Sequence, residues 1–421
     1  MNQKLQEIMD NIQEKFGLGN YFLKQHHIFL ETNGIGKTSY ILNMEWYPND
    51  LSQADEDYNP PGVASIDADI HTGYVKRIIF VQDTTYADQA VYPGAEKENS
   101  IEWIEELTGL EFGRQFRLVH DEGKKLGFQA AVDNIPVYPS GMIQVQFNEE
   151  NQFTLFSIDG YFPDEDQISW EPFSLLPETT DSIAKEQCKL LEIPAEDQKK
   201  WLSVYGATTV FVSNDGKRTI PFETVESHPS TVRLNKVMEW NEPIDKPFSP
   251  VEIDMSIEVS EEQALSNKPG TELTPPTDVE LKELELEIIN FLRREFPEES
   301  GKWELREIRP ENNYTFAALK PVHQDNRIID RKITLILDKE TGKALNFIDN
   351  SMLLDMFSDF EKAESPALSQ DDAFEKLRRH IEVTPVYVYN RDQGKYKLCG
   401  KIDCEYGVDA VTGDVISLDE L

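Results

Sequence analysis

Basic residues are scarce in this sequence. The chain of 421 residues carries 41 lysines and arginines against 78 aspartates and glutamates, a formal net charge of −37. Such an acidic surface repels phosphate backbones and anionic lipids, which argues against nucleic acids and membranes as partners. The same charge favours a basic protein or peptide as partner.

Cysteines are also few, and the three present are Cys188, Cys399 and Cys404. An odd and sparse set predicts no disulfide framework and fits a reducing compartment. Cys399 and Cys404 are spaced like two zinc ligands, but a zinc site needs four ligands at recognisable spacings. We therefore predict buried strand cysteines, with no metal site and no cofactor.

Long apolar runs are missing as well. No stretch approaches the ~20 apolar residues that span a bilayer. A secretory signal needs an unbroken apolar stretch of about 7–15 residues, and acids and amides interrupt the apolar residues of segment 1–10. We therefore expect a cytoplasmic protein.

What the sequence does contain is a recurring order of one helix followed by extended segments. In the first segment Leu5, Met9, Ile12 and Phe16 fall on one helical face. Stretches rich in aromatic and β-branched residues follow, a pattern typical of an antiparallel meander. A fixed order that returns along a chain indicates repeated units. The predicted full units cover 1–82, 95–162 and 277–349, and the predicted truncated units cover 179–226 and 369–421.

The break in this pattern is a segment rich in proline and acids, residues 241–276. Its composition is typical of a linker or an extended surface segment. The apolar stretch 251–259 within it is a candidate for an added strand along a neighbouring sheet. We predict an N-terminal module over 1–240 and a C-terminal module over 277–421. The predicted fold class is α+β, built of tandem units of one helix packed on a four-stranded antiparallel sheet.

A short motif, D-x-x-T-G, occurs three times between apolar strand segments. Asp accepts hydrogen bonds from backbone amides two residues on, and Gly adopts the left-handed conformation that closes a tight turn. A metal or phosphate loop is the alternative, but three equivalent positions favour structural hairpin turns. The turn residues are Asp69, Thr72 and Gly73, then Asp338, Thr341 and Gly342, then Asp409, Thr412 and Gly413.

These motifs resemble PepSY-type domains, and most closely the YcdB/YcdC repeats of Bacillus-like bacteria. The resemblance is carried by the helix-and-strand order, by V-D-N-I-P-V-Y at 132–138, by V-Y-V-Y at 386–389 and by V-D-A-V-T-G at 408–413. It implies a PepSY/cystatin-like fold and a non-catalytic module with an interaction or a peptidase-modulating role. It supplies no active-site residues.

Other candidate sites are weak. The segment Gly34–Thr38 ends in G-K-T like a phosphate-binding loop, but Glu31 stands where the motif needs glycine. The neighbours His26 and His27 point to opposite faces of a strand, so they do not ligate one metal together. His71 sits in a turn, and only His120 has an adjacent acid, so surface histidines are the simpler interpretation.

Acidic residues are too numerous for the sequence to select a catalytic pair. The clusters at 55–57 and 164–166 lack the full calcium-loop pattern. We predict a non-catalytic protein- or peptide-binding protein that receives extended segments on sheet edges or faces. Two alternatives stay open: a hydrolase with an acidic cleft between modules, and a structural acidic protein without a specific ligand. The oligomeric state is not predictable from these features.

Overall fold

The computed structural model describes residues 2–32, 38–50, 59–226, 230–253, 259–266, 274–311, 313–323 and 326–420. Strands are the main regular structure among them, with 40% of residues in strands and 23% in helices. The helices are α1 Gln3–Lys15, α2 Lys97–Thr108, α3 Pro177–Gln187, α4 Phe222–Glu226, α5 Glu261–Leu265, α6 Asp278–Glu295, α7 Ser351–Asp355 and α8 Gln370–Leu377.

The strands follow the helices in three groups along the chain. The first group is β1 Tyr21–Thr32, β2 Thr38–Pro48, β3 Ala64–Asp69, β4 Val75–Phe80, β5 Phe116–Asp121, β6 Lys125–Val132, β7 Ile135–Tyr138, β8 Met142–Phe147, β9 Phe153–Asp159 and β10 Ile168–Ser169. The second is β11 Cys188–Ala195, β12 Lys200–Ala207, β13 Val210–Ser213, β14 Thr219–Pro221 and β15 Val232–Met238. The third is β16 Trp303–Glu311, β17 Tyr314–Pro321, β18 Ile333–Asp338, β19 Ala344–Asp349, β20 Glu382–Asn390, β21 Lys395–Asp403, β22 Tyr406–Asp409 and β23 Val415–Ser417.

The chain divides into two compact units. Unit 1 comprises Met1–Trp170, Ser256–Gly270 and Val386–Lys397, and unit 2 comprises Glu171–Met255, Thr271–Pro385 and Leu398–Leu421. The 241–276 segment therefore contributes residues to both units. The division also runs through β20 and β21.

Unit 1 has one core, which α1 and α2 share with the strands. The Asn2 side chain accepts a hydrogen bond from the Lys4 N–H and caps the start of α1. A left-handed Gly17 follows the end of this helix. The buried face of α1 is the one that its periodicity predicts, and Ile104 of α2 belongs to the same cluster.

Unit 2 contains a five-stranded sheet that packs against α6 and a four-stranded sheet that packs against α8. The first sheet has the order β15-β16-β17-β18-β19, and the second has the order β11-β12-β22-β23. Helix α6 begins with a capping box between Thr277 and Glu280 and buries Ile288 and Leu292 against the five-stranded sheet. Residues of α8, such as Phe374, pack with Val408 of β22.

The predicted tandem of one helix on a separate four-stranded antiparallel sheet is wrong. Strands form a large mixed sheet of 14 members, in the order β1-β2-β3-β4-β9-β8-β6-β7-β20-β21-β13-β14, with β5 beside β6 and β10 beside β21. Within unit 1, β4 pairs with β9, which joins strands of the first and second predicted repeats. The pairs β7–β20 and β10–β21 are parallel.

The physical reason is that a strand edge carries backbone donors and acceptors that need partners. Alternation of apolar residues fixes which face of a strand is buried, but it does not specify which edge pairs with which. In unit 2 the five-stranded sheet therefore gains β15 from before the proline-rich segment. The two predicted truncated repeats share one sheet through the pair β12–β22.

None of the helices in the described part of the chain is long and apolar enough to cross a membrane.

Candidate recognition surface

The first D-x-x-T-G segment joins β3 to β4 in a hairpin. Asp69 Oδ1 accepts hydrogen bonds from the N–H groups of His71 and Thr72, both at 2.9 Å. The Gly73 N–H donates to the Asp69 carbonyl oxygen at 2.8 Å, and Gly73 has φ +73°. The aspartate and the glycine therefore bend the backbone, and the carboxylate is used within the turn.

The second segment joins β18 to β19. Asp338 Oδ1 accepts from the Thr341 N–H at 2.7 Å and from Thr341 Oγ1 at 2.6 Å. These hydrogen bonds from Thr341 lower the pKa of Asp338 below its ordinary value. Gly342 has φ +66° and closes the turn.

The third segment joins β22 to β23. Asp409 Oδ1 accepts from the N–H groups of Val411 and Thr412, both at 2.8 Å. Gly413 has φ +78°, and its N–H donates to the Asp409 carbonyl at 2.8 Å. The three turns lie in three different sheets.

A different feature distinguishes the first hairpin from the other two. On β3, Ala64, Ile66 and Ala68 belong to the core of unit 1. The residues that alternate with them, Ser65 and Asp67, point to the opposite face of the sheet. We call this face, opposite to the α1 and α2 core, the open face.

The strand register aligns one residue from each of eight neighbouring strands in a continuous line across the open face. We call this line the polar row. Each member is paired directly with the next one on the neighbouring strand. In order, the polar row is His27 on β1, Asn43 on β2, Asp67 on β3, Arg77 on β4, Ser157 on β9, Gln144 on β8, Gly127 on β6 and His120 on β5.

Glycine at position 127 leaves room for its neighbour in the polar row. A Cβ built on Gly127 would lie 3.1 Å from the His120 Cβ, so the His120 side chain passes close over the glycine. His120 Nε2 is in turn 3.2 Å from a carboxylate oxygen of Glu122. This end of the polar row therefore carries an exposed imidazole beside an acid.

Asp67 is the central acid of the polar row, and its side chain is only 9% exposed. Asn43 Nδ2 donates to Asp67 Oδ1 at 2.6 Å. Arg77 Nη1 lies 3.5 Å from Asp67 Oδ2, while Arg77 Nη2 lies 3.2 Å from Asp159 Oδ1. One guanidinium is thus shared between a buried carboxylate and an exposed one.

Burial raises the pKa of Asp67 above its ordinary value. The hydrogen bond from Asn43 and the charge of Arg77 act in the opposite direction, and the charges of Glu31 and Asp159 add to the effect of burial. The ionised form of Asp67 is therefore less stabilised here than in water.

The other two hairpins have no counterpart of Asp67. The residue two positions before the turn aspartate is Ile336 in the second hairpin and Gly407 in the third. A carboxylate at this place is therefore not required by the hairpin. Asp67 is not among the residues predicted from the sequence, although Ser65, Asp67 and Asp69 alternate with apolar residues along β3.

Two outer strands are contacted by the proline-rich segment. In unit 2, the Val251 N–H donates to the Leu345 carbonyl on β19 at 2.8 Å. In unit 1, the Val259 N–H donates to the Ile28 carbonyl on β1, also at 2.8 Å. Both ends of the predicted added strand thus make strand-edge hydrogen bonds, while residues 254–258 lie outside the described part.

The remaining candidates are not brought together. The three cysteines are buried and form no disulfide. His26 Nε2 lies 3.9 Å from Glu261 Oε1. Asp164 forms a capping box with Gln167 at a short 3₁₀ turn. Within the described ranges, no three His, Cys, Asp or Glu side chains are placed to hold a metal ion. Of the G-K-T segment, residues 34–37 lie outside the described part, as does the acidic cluster 55–57.

Comparisons with known proteins give little further information. No protein-family model matches the chain, and no curated protein matches it. Among solved structures, the chain is similar to the YpeB C-terminal domain of Bacillus megaterium at 9% sequence identity, over 83% of this chain and 97% of that chain. The TM-score is 0.25, so this similarity carries no argument about fold or function.

Proposed function

We propose that this is a non-catalytic binding protein that takes a lysine- or arginine-bearing segment of another protein on the open face of unit 1. The observation that carries the proposal is the position of Asp67, a nearly buried carboxylate in the middle of a sheet face that the helices leave uncovered. A buried carboxylate costs stability where its partners do not fully offset its burial, and the pKa of Asp67 is raised despite Asn43 and Arg77. Such a cost at a position that the hairpin does not require points to recognition.

The charge around Asp67 favours a cationic ligand. Arg77 is the cation that faces Asp67, and it is divided between Asp67 and Asp159. Glu31 adds negative charge and is paired with Lys76. A lysine or arginine from a partner that reached this group would stabilise the ionised form of Asp67 and complete the pairing of Asp159.

The polar row also suits an extended peptide. It crosses the strands at right angles, and seven of its eight strands, spaced about 4.8 Å apart, offer a side-chain donor or acceptor. A peptide that lies along it would place successive polar groups near Asn43, Asp67 and Ser157. Side-chain contacts of this kind give specificity without requiring a free sheet edge.

Broader features support the same proposal. The resemblance to PepSY-type repeats, with its D-x-x-T-G turns, favours a peptidase as the class of partner, and we interpret the turn residues as structural. The two-module organisation with a boundary at 241–276 stays our proposal for the domains. The three buried cysteines, which form no disulfide, favour a cytoplasmic location.

The test is calorimetric titration of the full chain with an unstructured peptide of lysine, glycine and serine. Wild-type protein should bind with a salt-dependent affinity. Asp67→Asn and Asp159→Asn should each weaken binding by about tenfold, the equivalent of ~1.4 kcal/mol. Because the peptide has no apolar residues, it reports on charge and hydrogen bonding only.

The matched control is Glu106→Gln, which removes one negative charge from the exposed side of α2. It should leave the affinity unchanged, because α2 covers the opposite face of the sheet. Equal weakening by all three variants would indicate general attraction to an acidic protein. That result, or full binding by Asp67→Asn, would contradict a site at the polar row.

A further inference from the structure

Unit 2 exposes an unusual concentration of large apolar side chains around α7. Met352 is 80% exposed, Met356 65% and Ile348 60%, and Leu353 is exposed as well. These four residues fall within nine consecutive positions of the chain. Single exposed apolar residues are ordinary, but a group of them marks an interaction surface.

The local structure fixes which side of this segment faces outward. Helical turns continue past α7, because the Phe357 N–H donates to the Leu354 carbonyl and the Phe360 N–H to the Phe357 carbonyl. Phe357 packs against the buried Trp201, with ring centroids 5.5 Å apart. Within α7 itself, Leu354 is half-buried. The outward position of Met352 and Met356 therefore follows from the inward packing.

Hydrogen bonds and an ion pair also hold the start of the segment. The Lys332 N–H donates to Asn350 Oδ1 at 2.6 Å, and Asn350 Nδ2 donates to the Asp330 carbonyl at 2.8 Å. Arg331 and Asp349 form an ion pair at 3.0 Å. The apolar surface is thus presented on a fixed backbone, which lowers the ordering cost of binding.

Acids share this outward side. Asp355 and Asp359 follow Met352 by three and seven positions, the spacing of one helical face, and both are exposed. Asp359 is paired with Lys199 at 3.1 Å, an exposed contact that solvent weakens. We call Ile348, Met352, Leu353, Met356, Asp355 and Asp359 together the Met–Asp surface.

We propose that the Met–Asp surface docks an amphipathic basic segment of another protein, with apolar residues against the methionines and lysines or arginines against the aspartates. Methionine side chains are flexible and polarizable, so they adapt to apolar partners. Two copies of this chain would bring the same aspartates together at a net charge of −37 each, which opposes self-docking. Anionic lipid is opposed for the same reason.

The test uses the full chain and a fluorescent helical peptide of leucine and lysine, about 18 residues long, with the leucines on one face. Fluorescence anisotropy should show binding to the wild-type protein. Met352→Ser/Met356→Ser should weaken it by about tenfold or more. Asp355→Asn/Asp359→Asn should weaken it and make it less sensitive to salt.

The control is Val279→Ser/Leu286→Ser, which removes two exposed apolar side chains from α6, 67% and 61% exposed. It should bind like the wild type. The proposal is overturned if the peptide does not bind, or if both serine pairs have the same effect. It is also overturned if sedimentation shows a dimer that Met352→Ser/Met356→Ser abolishes, or if anionic vesicles bind more tightly than the peptide.

Discussion

Replacement of the turn glycine Gly342 by alanine should lower the free energy of unfolding by about 1 kcal/mol. Gly342 has φ +66°, and the left-handed conformation costs an L-residue roughly 1–2 kcal/mol. A Cβ at this place would lie 3.7 Å from Leu284 Cδ2, an ordinary van der Waals contact, so no steric clash adds to that cost. Alanine also lowers the conformational entropy of the unfolded chain, and this offsets roughly 0.4–1 kcal/mol of the cost.

The same argument orders further variants. Gly342→Asn should cost less than Gly342→Ala, because asparagine tolerates the left-handed conformation better. Gly73→Ala and Gly413→Ala should resemble Gly342→Ala, since φ is +73° and +78° and a Cβ at either place would meet nothing closer than 3.5 Å. Gly19 is the control: it lacks a left-handed φ, and a Cβ there would meet nothing within 4 Å. Gly19→Ala should be neutral or slightly stabilising.

Urea denaturation, followed by circular dichroism and tryptophan fluorescence, measures these differences. If Gly342→Ala were as stable as the wild type, the turn would not depend on the ease with which glycine adopts the left-handed conformation. An asparagine variant that is less stable than the alanine variant would refute the backbone argument. A loss well above ~2 kcal/mol would mean that contacts, not conformation, set the cost.

Three other predictions follow from the structure. Because burial raises the pKa of Asp67 in the folded protein, its contribution to stability is fully present below the unfolded pKa, about 3.9, and is lost as the pH rises through the folded pKa. Asp67→Asn does not titrate, so the urea midpoint of the wild type should fall relative to that of Asp67→Asn as the pH rises over this range. A constant difference across that range would contradict it. Thr277→Ala removes the N-cap of α6 and should cost about 1 kcal/mol in the same assay, whereas no loss would mean that the capping box is not stabilising. Burial raises the pKa of the Cys188 thiol to about 11, so a thiol reagent at mildly alkaline pH should react with this cysteine only after denaturation; rapid labelling of the native protein would refute its burial.

Periodicity located much of the secondary structure. The helices predicted at the start of units 95–162, 277–349 and 369–421 are α2, α6 and α8. These helices have clear local signals: a 3.6-residue apolar period, and for α6 and α8 a capping residue at the start. The D-x-x-T-G segments likewise lie between adjacent strands of hairpins.

The open face could not be predicted to the same extent. Alternation along β3 places Asp67 away from the core, but the residues that face it come from other strands. Asn43 reaches it from β2 and Arg77 from β4, while Asp159 on β9 binds the same guanidinium. The burial that raises the pKa of Asp67 depends on all of these strands together.

The sequence alone determined the acidic charge, the positions of the principal helices and the residues that bend the hairpins, because each depends on composition or on neighbours along the chain. Only the tertiary structure decided that β4 pairs with β9, that the predicted repeats merge into larger sheets, and that Asp67 and Arg77 meet on an uncovered face. The reason is that every strand offers the same backbone donors and acceptors, so pairing is settled by packing of the whole unit.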